Sequence, residues 1–124
     1  MTASLTRVAV WLPPFVLMAV IFALSAMPSG DTDHGVLYLI ARKIGHFSEY
    51  ALLAVLWWRA LRTRFATRTA ITLAVAFSVA YAVTDELHQR SVENRVGTPI
   101  DVAIDTAGIF TAATLIAIRR RVPG

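Results

Sequence analysis

The distribution of charge constrains this chain more than any other feature. Four stretches, residues 8–24, 44–61, 69–84 and 100–118, are dominated by apolar side chains, and most of the ionisable residues gather between them or at their ends. Hydrophobic residues make up 56% of the 124 and charged residues only 16%. An average soluble domain carries roughly 25% charged residues. With a rise of about 1.5 Å per residue, a helix of about 18–20 residues crosses a hydrocarbon core of ~30 Å. The expected architecture is therefore all-α, a four-helix transmembrane bundle. It has room for one integral membrane domain, residues 1–124.

Taken in order, the first apolar stretch is interrupted by Pro13 and Pro14, which neighbouring helices can absorb near the start of a span. Leu24-Ser25-Ala26 loosely resembles a signal-peptidase site. The apolar run is longer than the ~7–15 residues of a signal-peptide core, so a first span is expected instead. Gly30, Asp31 and Asp33 read as a turn. The apolar segment 36–41 is too short to span and reads as a short interfacial helix between the first and second spans. Trp11, Trp57 and Trp58 read as anchors at the membrane–water boundary. There are no cysteines, which excludes disulfides, thiolate zinc sites and a cysteine nucleophile.

Charge asymmetry gives an expected orientation. With the N-terminus inside, Arg7, the arginines of residues 59–68 and Arg119, Arg120 and Arg121 lie on the cytoplasmic side with no acid among them. All 8 acids fall towards the other face, beside Arg42, Lys43, Arg90 and Arg95. The bias of Lys and Arg in short loops sets orientation. A multi-pass protein of the cell membrane is expected, with both termini cytoplasmic.

Residues 81–108 concentrate the polar chemistry. Asp85, Glu86 and Gln89 follow the third apolar stretch, Arg95 lies in the connection, and Asp101 and Asp105 open the fourth. From the second stretch, His46, Glu49 and Tyr50 share one helical face at i, i+3 and i+4. The Asp101/Asp105 face continues through Gly108 and Ala112, while Ala74, Ser78 and Ala82 lead up to Asp85. Small residues at this spacing let membrane helices approach closely. The acids are therefore expected to point into the bundle. Ionisable groups at membrane depth are expensive, which marks them as site candidates.

The series Ser25-x-x-Pro28, Lys43-x-x-His46-x-x-x-Tyr50, Asp85-Glu86-x-x-Gln89, Arg95, Asp101 and Gly108 resembles the VanZ-like family, named for an accessory protein of teicoplanin (glycopeptide) resistance. The resemblance runs from about Ser25 to Gly108, and Asp-Glu-x-x-Gln followed by Arg and Asp is its most diagnostic part. Two departures stand out: Asp105 replaces an asparagine of the family pattern, and the 91–98 connection reads SVENRVGT. The resemblance implies a multi-span protein of the cell envelope associated with antibiotic resistance. It supplies no reaction.

Each candidate also has a plainer role. His46 can fix helix packing through a carboxylate, or act as a general base or as a ligand for a phosphate head group. Asp85 and Glu86, read as the C-terminus of the third helix, oppose its macrodipole and call for a cationic partner, for which Arg95 is the candidate. Asp101 and Asp105 also complement the positive start of the fourth helix. His34, His88 and Glu93 read as surface residues. Asp85-x-x-His88 and His46-x-x-Glu49 offer a nitrogen and oxygen donor set, but such pairs arise often by chance and no metal or cofactor is expected. No phosphate loop, nucleophile elbow or His-Glu-x-x-His motif is present. Basic residues dispersed at helix ends argue against nucleic acid.

Three readings stay open. The first is an envelope protein whose outer-face polar pocket uses His46, Tyr50, Asp85, Glu86, Gln89, Arg95 and Asp101 to engage a lipid-linked cell-wall precursor or a glycopeptide, with membrane lipids around it. The second is an intramembrane hydrolase or transferase with His46, Glu49, Asp85 and Glu86 as catalytic candidates. The third is a structural helper whose polar network locks helices together.

Overall fold

The computed structural model describes residues 8–26, 35–91 and 99–121. They form four helices: α1 (Leu12–Ala26), α2 (Gly35–Leu61), α3 (Thr67–Ser91) and α4 (Pro99–Arg121). No strand occurs among the described residues, so the all-helical expectation holds. Ser25 lies near the end of α1, and Pro28 falls outside the described residues.

The helix limits follow from backbone chemistry. Pro13 and Pro14 sit in the first turn of α1, just after a turn in which the Trp11 N–H donates to the Val8 carbonyl at 3.1 Å. A first turn needs no proline N–H, so the pair starts the helix and does not kink its middle. α2 runs without a break from Gly35. The expected separate interfacial helix at 36–41 is therefore corrected: those residues are the first turns of α2. Arg42 and Lys43 interrupt hydropathy there, but they do not interrupt main-chain hydrogen bonding. α2 closes with the Arg62, Thr63 and Phe65 amides donating to the carbonyls of Trp58, Ala60 and Leu61 at 2.9, 3.2 and 2.9 Å. These bonds satisfy the last carbonyls of the helix and turn the chain into α3.

α2 packs along α4 and α3, α3 packs along α4, and α1 leans on α2 and α3. Ring contacts identify which ends meet. Trp57 makes edge contacts with Trp11, Phe15 and Phe77 at centroid distances of 6.4, 5.3 and 5.1 Å. Arg62 and Arg120 lie over the Trp58 ring at 4.8 and 5.3 Å. The start of α1, the end of α2, the start of α3 and the end of α4 thus share one end of the bundle. At the other end, Phe22 stacks on His88 with centroids 4.2 Å apart.

The Trp57 ring cluster corrects its reading as an interface anchor. Trp57 is only 6% exposed because it continues the inward stripe Tyr50, Leu53, Ala54 and Leu61, all buried. Trp58, one residue on, is half-buried beneath its two arginines.

Two helices among the described residues are long and apolar enough to cross a membrane, Thr67–His88 and Ile100–Arg120. The apolar part of α1, Leu12–Leu24, is shorter. α2 has the length, but Arg42, Lys43, His46, Glu49 and Arg59 interrupt its apolar character. Large apolar side chains face outward on every helix, among them Phe15, Phe22, Leu52, Phe77, Phe110 and Leu115. Such a continuous outward apolar surface needs a non-aqueous or protein neighbour.

Candidate buried polar site

Three helices deliver polar side chains to one place, and the small-residue stripes explain how. On α3, Ala74, Ser78 and Ala82 are buried and lead one turn at a time to Asp85. On α4, Asp105 precedes Gly108 and Ala112 on the buried face. A Cβ placed on Gly108 would overlap the Phe47 carbonyl oxygen. Glycine there lets the backbones of α2 and α4 touch, which brings Asp105 up to the residue beside Phe47, namely His46. His46 and Tyr50 then occupy successive turns of the same α2 face.

The resulting cluster is dry. Exposure is 9% for His46, 0% for Tyr50, 3% for Asp85, 6% for Glu86 and 2% for Asp105. Tyr50 donates its hydroxyl to Asp85 Oδ2 at 3.1 Å. His46 Nδ1 stands 3.3 Å from Asp105 Oδ1. Neither of these two atoms has an aligned hydrogen-bond partner among the described residues, although both are fully buried. Towards the start of α4, Lys43 Nζ approaches Asp101 Oδ1 at 3.7 Å, with the lysine half-exposed. Tyr81 lies beside Tyr50 with ring centroids 6.4 Å apart and donates its hydroxyl to the Met18 carbonyl of α1.

The sequence-derived candidates separate accordingly. His46, Tyr50 and Asp85 come together, and Glu86 is buried beside Asp85. Glu49 lies on the edge of the His46 face, half-buried. Asp101 belongs to the outer pair with Lys43 and not to the cluster centre. Gln89 is on α3, one turn beyond Asp85, with its side chain outside the described residues; Arg95 lies outside them altogether. Asp85 and Glu86 do not end their helix, since α3 continues to Ser91. The macrodipole argument for a cation beside them therefore lapses, and burial takes its place as the reason they need partners. His88 is stacked on Phe22 and half-buried, not a surface residue. Asp105 is the residue that sequence reasoning undervalued. Its signal was already visible, because it shares the inward face with Gly108 and Ala112.

Among the described residues the side chains of the cluster are buried where the three helices pack. A groove of about 680 Å³ opens elsewhere, between α2 and α4, with walls that include Phe47, Val55 and Leu115 and with Arg119 and Arg120 at one end.

Chemically, the centre presents one imidazole and two carboxylates, with one donor atom from each of His46, Asp85 and Asp105 within 4.8 Å of the others. A His–Asp pair can move a proton, and the three together can hold a cation. A family model described as VanZ/LLP1 matches residues 3–120. The chain belongs to the VanZ/LLP1 family. The family resemblance of the sequence is thereby shown, and Asp105 supplies the carboxylate that meets His46. No curated protein and no solved structure matches the chain.

Proposed function

We propose that this VanZ/LLP1 protein crosses the cell membrane four times with both termini cytoplasmic, and that its buried polar cluster engages the polar or anionic group of a lipid-linked envelope component. One observation carries the reading. His46, Tyr50, Asp85 and Asp105, from three helices, meet in a dry site at the end of the bundle away from the Trp58 arginines. That arrangement fits the charge bias of the sequence, which puts the arginine-rich end inside. Arg95 would bring positive charge to the anion and Gln89 a hydrogen bond, with Tyr50, Asp85, Glu86 and Asp101 as a fixed frame. The family's link to teicoplanin resistance favours a cell-wall precursor, or a glycopeptide, as the partner at the outer leaflet.

The experiment is an alanine series across His46, Glu49, Asp85, Glu86, Gln89, Arg95 and Asp101, scored for membrane abundance and for glycopeptide sensitivity in the same cells. Binding predicts variants that lose protection out of proportion to any loss of accumulated protein. Unchanged protection across the series contradicts it. A second reading, an intramembrane hydrolase or transferase, draws on the buried His46–Asp105 approach at 3.3 Å, which sets a carboxylate beside a candidate base. It predicts that His46→Ala abolishes turnover of a lipid-linked substrate per molecule of folded protein, beyond any loss of accumulated protein.

A further inference from the structure

We infer that His46, Asp85 and Asp105 form a binding site for a divalent cation of the zinc or manganese class. Three side chains from three different helices place a donor atom each within 4.8 Å of the others. The closest pair, His46 Nδ1 and Asp105 Oδ1, is 3.3 Å apart. A tetrahedral ion with bonds of about 2.0–2.2 Å holds its donors about 3.4 Å apart. The alignment of that same pair points the same way. His46 Nδ1 and Asp105 Oδ1 are buried without an aligned hydrogen bond among the described residues, and Asp105 is 2% exposed. Two polar atoms facing each other at contact distance but not aligned are what a shared third body would satisfy. Buried polar groups left unsatisfied are otherwise costly.

The donor set selects the ion. One imidazole with two carboxylates suits zinc, manganese or ferrous iron, whereas magnesium and calcium favour oxygen alone. The Tyr50 hydroxyl on Asp85 Oδ2 fixes that carboxylate, in the way outer hydrogen bonds orient metal-binding side chains. The site differs from the sequence-level pairs Asp85/His88 and His46/Glu49. His88 is stacked on Phe22, and Asp105 stands 3.3 Å from His46 Nδ1.

The inference deepens the reading of this same cluster. Two buried acids repel an anionic group, and a divalent cation reverses that local sign. Three protein donors leave a further coordination position for an anionic oxygen or water.

The test uses the full chain in detergent micelles, stripped with a chelator and reloaded with Mn²⁺ or Zn²⁺ alone. Near-stoichiometric metal after desalting is expected, and Asp105→Asn should weaken binding by about tenfold or more. A second measurement removes dependence on that variant folding. In protein carrying His34→Gln and His88→Gln, bound Mn²⁺ should still show nitrogen coupling by pulsed electron paramagnetic resonance, which only His46 can then supply. Folded protein that stays metal-free overturns the inference. So does equal affinity in folded Asp105→Asn, or loss of the nitrogen coupling when the other two histidines are replaced. No lipid-linked ligand or drug is present, so a metal-free protein leaves the binding reading to be decided by the resistance assay.

Discussion

Tyr50 of α2 donates its hydroxyl to Asp85 of α3 across 3.1 Å, inside a bundle where both side chains are almost wholly hidden. The bond ties two helices at the level where α4 contributes Asp105. Polar contacts of this kind hold membrane helices in one register, since packing alone distinguishes weakly between rotations of an apolar helix.

Tyr50→Phe removes the hydroxyl and keeps the ring. A buried carboxylate that loses a donor costs about 1–3 kcal/mol. Denaturation in mixed micelles should show a loss in that range, whereas Tyr81→Phe, at a half-buried ring, should cost less.

Gly108→Ala and Gly45→Ala test how closely the helices approach. A methyl at Gly108 meets the Phe47 carbonyl, a backbone atom that cannot swing aside, while one at Gly45 meets no other element within 4 Å among the described residues. Overpacking typically costs about 1–3 kcal/mol. Gly108→Ala should lower membrane accumulation and thermal stability; Gly45→Ala should match the parent or exceed it, because alanine is the better helix former.

Two charge pairs that look alike in sequence should behave differently. Lys43 and Asp101 stand 3.7 Å apart with the lysine half-exposed, and exposed pairs contribute about 0–1 kcal/mol. Lys43→Ala should be nearly silent in a stability assay. His46→Ala strands the Asp105 carboxylate in a dry site, a change that costs about 3–5 kcal/mol for buried pairs. A double-mutant cycle on each pair checks the contrast, and equal coupling energies would contradict it.

Trp57→Ala should be far more damaging than Trp58→Ala. Trp57 is packed against rings from α1 and α3, so its loss opens a cavity at a three-helix junction. Trp58 loses two cation–ring contacts, each about 0.5–1 kcal/mol at partly wet sites. Protease resistance of the two variants in detergent separates them.

Four helices and the inward turn of their polar faces were legible because apolar runs, small-residue stripes and i, i+4 spacing depend on local geometry alone. What was misjudged lies where hydropathy and backbone bonding diverge. Arg42 and Lys43 make α2 look like two elements and Asp85-Glu86 look like the end of α3, because a charge can break hydropathy without ending a helix. Residue type alone suggests an interface for Trp57, whereas its position on the Tyr50–Leu53–Ala54–Leu61 stripe puts it inside. The pairing of His46 with Asp105, ahead of Asp101, depends on the longitudinal offset of α4 against α2. The contact at Gly108 sets that offset, and no single helix encodes it.

The central claim is that His46 and Asp105 meet inside the bundle. The chain has no native cysteine, so it can be tested with His46→Cys combined with Asp105→Cys in native membranes. Oxidation should join the two positions within one chain, detected by protease cleavage at an inserted site between them and a mobility shift under reducing and non-reducing conditions. Failure to cross-link, together with ready labelling of position 46 by a lipid-soluble maleimide, would place that face against acyl chains and contradict the account.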